Sequence, residues 1–181
     1  MSGKHLLLFL LIALATPVFA QEAIAPRPSP TAIASCIYKD SYLKIVYSQP
    51  HKHGREVFGK LVPFGQVWRL GANEATELTI AREVFIDSQL LAAGTYSVFA
   101  IPEKDKWTII FNSELGQWGS YNYNPAKDVL RIERATQILP GELVYEPFTI
   151  TIDQKNNKAD IVMTWDKTTV SFGVDFIEPK P

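Results

Sequence analysis

Thr169-Val170-Ser171-Phe172-Gly173-Val174-Asp175-Phe176 alternates without a break, with Val, Phe, Val and Phe on one side and Thr, Ser, Gly and Asp on the other. A period of two sends one row of side chains into a core and the other toward water, the pattern of a half-buried β-strand. The same period recurs toward the N-terminus. Phe148, Ile150 and Ile152 alternate with Thr149 and Thr151; Trp107, Ile109 and Phe111 with Thr108; Leu78 and Ile80 with Thr79; Leu43, Ile45 and Tyr47 with Lys44 and Val46. Val129–Glu133 alternates as well and is read as a strand rather than a helix. β-branched and aromatic residues, which suit a pleated surface, are enriched in these runs.

Turn chemistry separates the runs. Lys39-Asp40-Ser41, Asp87-Ser88-Gln89, Glu103-Lys104-Asp105, Asn156-Asn157 and Asp166-Lys167 each fall between two alternating segments. Asn and Asp tolerate the left-handed backbone that tight hairpins need. About ten short strands at this spacing predict an all-β fold: a single antiparallel β-sandwich or barrel-like domain. No helix of useful length is expected beyond the first 20 residues.

Those first residues carry a different signal. Met1 to Ala20 has a basic start (Lys4, His5), an apolar run from Leu6 to Ala15, and small Val18 and Ala20 at −3 and −1 before Gln21. This is the layout of a secretory signal peptide, and the run falls short of the ~20 apolar residues of a spanning helix. The chain is therefore expected to be exported, periplasmic or extracellular, with no membrane span after cleavage. Gln21 to Thr31 reads as a stiff Pro-rich leader, and residues 32–181 as one domain of about 150 residues. Ile33-Ala34-Ser35-Cys36 looks like a lipidation box but stands too far from the apolar run. Cys36 is the only cysteine, so no internal disulfide can form; it is read as a small buried residue of the first strand. With Lys4 removed, 17 basic residues face 19 acidic ones. That near balance leaves no field for nucleic acid and no polybasic membrane patch.

Three stretches carry chemistry. His51-Lys52-His53 with Glu56 offers two imidazoles and a carboxylate, the ligand types of a divalent metal. The spacing to Glu56 is short for a cupin-type motif, Pro50 interrupts the strand, and no later His exists; the alternative is a loop with incidental histidines. Trp68-Arg69-Leu70-Gly71-Ala72-Asn73-Glu74 combines an aromatic wall, a guanidinium, an amide and a carboxylate. It reads either as ion-pair bracing, with Glu74 and Glu77 receiving Arg55 or Arg69, or as a cleft for a sugar or small polar ligand. Gln117-Trp118-Gly119-Ser120-Tyr121-Asn122-Tyr123 reads as a sugar-stacking loop or as an aromatic cover over the sandwich. Phosphate loops, dinucleotide fingerprints and strained Ser elbows are absent, so no cofactor is expected.

Tyr47-Ser-Gln-Pro50, the long Gly54–Thr76 block, Ala92-Ala-Gly-Thr-Tyr-Ser-Val-Phe-Ala-Ile-Pro102, Trp107–Asn112 and Gln117–Tyr123 together resemble a family of exported bacterial proteins, domain of unknown function 2911. The resemblance spans about residues 28 to 176 and implies an exported β-rich domain. It brings no activity, cofactor or catalytic residue with it. The family pattern carries Arg at the place of Gln49 and Thr at the place of Leu70, and does not include the His pair.

Two function classes remain. One is a non-enzymatic envelope module that binds a glycan, small polar ligand or envelope protein through Arg55, Trp68, Arg69, Asn73, Glu74, Trp118 and Tyr121. The other is a hydrolase or metal-assisted enzyme that uses Glu56, Glu74 or Glu77 with His51 or His53. Convergence of the first set on an open cleft favours ligand binding; mutual pairing favours bracing.

Overall fold

The computed structural model describes residues 25–178; the signal peptide expected over residues 1–20 lies outside the described residues. In chain order the strands are β1 (Thr31–Tyr38), β2 (Ser41–Ser48), β3 (Thr76–Ile80), β4 (Val84–Ile86), β5 (Gln89–Leu91), β6 (Gly94–Pro102), β7 (Lys106–Asn112), β8 (Asp128–Ala135), β9 (Gln137–Ile138), β10 (Tyr145–Lys155), β11 (Lys158–Asp166) and β12 (Thr168–Phe176). One sheet has the order β1-β2-β3-β6-β7-β8; the other runs β10-β11-β12-β4-β5, with β9 added beside β12. Every pairing between named strands is antiparallel. Neither sheet closes on itself, so the expected sandwich-or-barrel resolves to a sandwich.

The turns explain the register. Asp87 and Ser88 both have positive φ (56° and 61°) and join Ile86 to its partner Gln89. Asn156 and Asp166 reach φ values of 55° and 54° at the two C-terminal hairpins. Short polar side chains bear that conformation at low cost, and its twist matches the flanking strands. Each register then sends one row inward. Leu43, Ile45 and Tyr47 of β2 face Phe148 and Ile150 of β10, Ile161, Met163 and Trp165 of β11, and Val170, Phe172, Val174 and Phe176 of β12 across one continuous core.

β6 and β7 depart from simple alternation because both of their faces are covered. Val98, Trp107, Ile109 and Phe111 belong to the main core, whereas Phe99 and Ile110 form a second cluster with Ala75 on the outer side. Val67 and Tyr123, both from connections, close over that cluster. β1 departs in the other direction. Its outward row leaves Ile33 and Ile37 about two-thirds exposed, and on its inward row Cys36 is half-buried rather than buried. An edge strand has a neighbour on one side only, so its inward row is sealed less completely.

Candidate functional site

The connection from β2 to β3, residues 49–75, carries most of the chemistry-bearing side chains. It begins by extending the sheet. The Phe148 N–H donates to Pro50 O at 2.8 Å and the Lys52 N–H to Glu146 O at 2.9 Å. His51 and His53 therefore lie beside the start of β10 instead of in a free loop. Farther on, Trp68 exchanges both backbone hydrogen bonds with Ala100 of β6, at 2.7 and 2.9 Å. That short pairing turns Trp68 inward, where it is 7 % exposed. Its indole stacks on Trp165 (5.9 Å, 20°) and meets Trp107 and Phe148 edge-on. Its Nε1–H donates to Gly71 O at 3.0 Å.

Gly71 is required by proximity and not by φ. A Cβ on it would stand 2.8 Å from Ser48 O, closer than carbon and a backbone oxygen tolerate. The Ala72 N–H donates to the same carbonyl at 3.1 Å, which draws the connection tightly against the end of β2.

Trp68 and Arg69 border two adjoining hollows. One, of about 200 Å³, has Arg55, Gly71 and Trp165 in its walls. The other, of about 170 Å³, runs past Gln66 and Ser120. Leu61 and Val62 are shared by both. Neither lining contains a carboxylate or an imidazole. Arg55 is held by backbone: its Nε donates to Lys52 O (2.7 Å) and its Nη2 to His51 O (2.6 Å). Arg69 differs, because its Nε is buried and without a hydrogen-bond partner among the described residues. Ser120 Oγ–H donates to Val67 O at 2.9 Å, tying the Trp118–Tyr123 loop to the floor of the second hollow.

The remaining candidates lie on a different side. Glu74 accepts from Arg27 Nη1 at 2.7 and 3.0 Å, and more distantly from Ser48 Oγ at 3.4 Å. The Arg27 hydrogen bond is the main reason that its carboxyl is held below the usual glutamate value. Glu77 accepts from the Gly116 N–H at 3.2 Å. The expected pairing of these two glutamates with Arg55 or Arg69 is thus corrected. The reason is β-pairing: Glu74 is bridged to Trp118 and Glu77 sits opposite Val46 in β2, so both face the N-terminal segment and away from the arginine hollows. Together with Ser48 and Gln117 they line a separate hollow of about 280 Å³. Asn73, at φ 56°, donates from Nδ2 to Ser29 O at 3.3 Å and accepts the Gly119 N–H at its carbonyl. Trp118 and Tyr121 are 59 % and 82 % exposed, but of their loop only Ser120 lines the second hollow.

The candidate set therefore splits. Arg55, Trp68 and Arg69 meet at a cleft, Asn73 and Glu74 anchor residues 27–29, and Trp118 and Tyr121 line neither hollow. His51 and His53 stack with ring centroids 5.6 Å apart. No group of three or more His, Cys, Asp or Glu among the described residues is arranged to hold a metal ion, so Glu56 does not complete a ligand set with them.

Two groups escape the sequence reading. Arg27 lies in the Pro-rich leader, where nothing in the local pattern points to Glu74. The other is the Tyr123 hydroxyl, which donates to Asp128 Oδ2 (2.6 Å) and accepts from Arg131 Nη2 (2.7 Å). Burial, then the Asp128 hydrogen bond, push its pKa up to about 12. Tyr-x4-Asp-x2-Arg is the only trace of this network in the sequence.

A family model described as "Protein of unknown function (DUF2911)" matches residues 29–174. No curated protein matches the chain, and no solved structure does.

Proposed function

The chain belongs to the DUF2911 family, whose function is unknown, and we propose that it is a non-enzymatic binding module of the bacterial envelope that holds a small polar ligand beside Trp68 and Arg69. The observation that carries this reading is the Arg69 side chain, which borders two adjoining open hollows and makes no hydrogen bond or ion pair among the described residues. Binding sites commonly combine an apolar wall with a few convergent polar groups. Here Leu61, Val62 and Trp68 supply the wall, and two guanidiniums and the Ser120 loop supply the polar groups. The hollows are smaller than the ~300–1,000 Å³ of drug-sized sites, which fits one sugar ring or a metabolite of similar size. The lining also lacks an acid–base pair, which a hydrolytic role for this cleft would need.

The test is a screen of the purified chain against a glycan array and a panel of small polar metabolites, with thermal shift as a second readout. We expect a ligand whose binding is weakened by Leu61→Ala and by Gln66→Ala, two exposed residues of the walls. Silence across both panels, or binding that neither substitution changes, overturns the reading.

A further inference from the structure

We propose that the ligand of this cleft carries an oxyanion, a carboxylate, phosphate or sulfate, and that Arg69 is its anchor with Arg55 as a second cation; this rests on the binding reading above. The six arginines of the sequence differ sharply in their partners. Arg27, Arg82, Arg131 and Arg134 are each paired with a carboxylate, on Glu74, Asp40, Asp128 and Asp87 respectively. Arg55 is satisfied by two main-chain carbonyls. Arg69 alone makes no side-chain hydrogen bond or ion pair among the described residues, and its Nε is buried without a partner.

A guanidinium stays charged at any physiological pH and carries five donors and no acceptor. The Arg69 Nε is sealed from solvent, so contact with a ligand falls to the two Nη groups, which have no partner among the described residues and whose planar donors an oxyanion matches with parallel hydrogen bonds. The surroundings have the same sign. Arg55 enters the wall of the larger hollow and no Asp or Glu lines either one. A neutral sugar would leave this positive charge uncompensated, so discrimination against neutral analogues follows from the site itself. Two carboxylates near the end of the connection are turned elsewhere: Glu74 is occupied by Arg27, and Glu77 of β3 accepts the Gly116 N–H.

The experiment uses matched probes: galacturonate against galactose oligomers for a carboxylate, and inorganic phosphate and sulfate for the tetrahedral anions, each titrated calorimetrically at low salt and at about 0.5 M NaCl, where screening is strong. We expect an anionic probe to bind about tenfold or more tightly than its neutral partner, and to weaken with salt as a charge-assisted contact does. Arg69→Gln should abolish that preference without lowering the melting temperature, since it removes an unpaired donor. Arg69→Lys, which keeps the charge but loses the fork, should restore it only in part. Equal binding of neutral and anionic probes by the wild type overturns the oxyanion assignment and leaves the binding reading standing. So does an anion affinity unchanged in Arg69→Gln. Should Arg69→Gln fail to fold, the wild-type comparison of neutral with anionic probes still decides. Silence from every probe overturns both.

Discussion

Trp68 and Trp107 sit in one aromatic cluster, 5.7 Å apart and edge-on, yet replacing each by Phe should have different consequences. The substitution deletes the same atoms at both positions, and the resulting cavity costs about 1–3 kcal/mol at either. Burial alone ranks Trp107→Phe as the worse change, since Trp107 is 0 % exposed and Trp68 7 %. Hydrogen bonding reverses that order. The Trp68 Nε1–H donates to Gly71 O at 3.0 Å, so its loss removes a bond and leaves a buried carbonyl without that donor, at about 1–3 kcal/mol. The Trp107 Nε1–H is buried without a partner, so its loss relieves a penalty of similar size. Trp68→Phe should therefore be the more destabilising by about 2 kcal/mol or more, a gap of several degrees in Tm for a domain of this size. Urea unfolding followed by far-UV circular dichroism measures it, with an unchanged m-value confirming that the same surface is exposed. A Trp107→Phe variant that costs as much as Trp68→Phe, or more, refutes the reasoning.

Gly71→Ala pushes a methyl against Ser48 O and should cost about 1–3 kcal/mol through backbone displacement; a melting temperature equal to the wild type's contradicts this. Glu74 has its carboxyl pKa held below 4.5 by Arg27, so that contribution to stability is present above pH 4.5 and is lost as pH falls through the lowered value. A carboxyl titration followed by NMR should find the Glu74 pKa returning toward 4.5 in Arg27→Ala, and no movement would show the pairing to be absent in solution. Tyr123, with its pKa raised from 10.0 to about 12, favours the fold fully below pH 10 and ceases to do so as pH rises through the raised value. Tyr123→Phe should remove the latest step of a tyrosinate absorbance titration and cost about 1–2 kcal/mol; retention of that step contradicts the assignment.

The strands were legible because one face of each sheet is wet. β12 reads Val-Ser-Phe-Gly-Val-Asp-Phe in sequence and alternates buried with partly or fully exposed residues in the structure, and Asp87-Ser88 and Asn156 take the left-handed turns their side chains allow. Legibility fails where a second layer covers the sheet. Ser97 and Phe99 of β6 are both buried, on the face opposite Val98 and Ala100, because the 67–75 and 117–123 connections lie over them, and no local period encodes a neighbour that distant. β9 is two residues long and has no period to read. The candidate site was half legible for the same reason. Arg55, Trp68 and Arg69 were identifiable by residue type and meet as a group. The partners of Glu74 and Glu77 were not, because Arg27 lies 47 residues from Glu74 and only the assembled sheet brings them together.

β12 is the central strand of the second sheet, with β11 on one side and β4 on the other, yet it is synthesised after all its neighbours. Until Val174 and Phe176 exist to pair with Ile86 and Val84, the β4–β5 hairpin has no sheet to join, and the inward rows of β2 and β7 lack the Val170, Phe172, Val174 and Phe176 side of their core. Pairings across so much intervening chain form slowly, since loop closure precedes the contacts that reward it. Closure of the core is thereby deferred until the last strand has been made, so the order of synthesis, and not only the contacts, sets when the two sheets can seal.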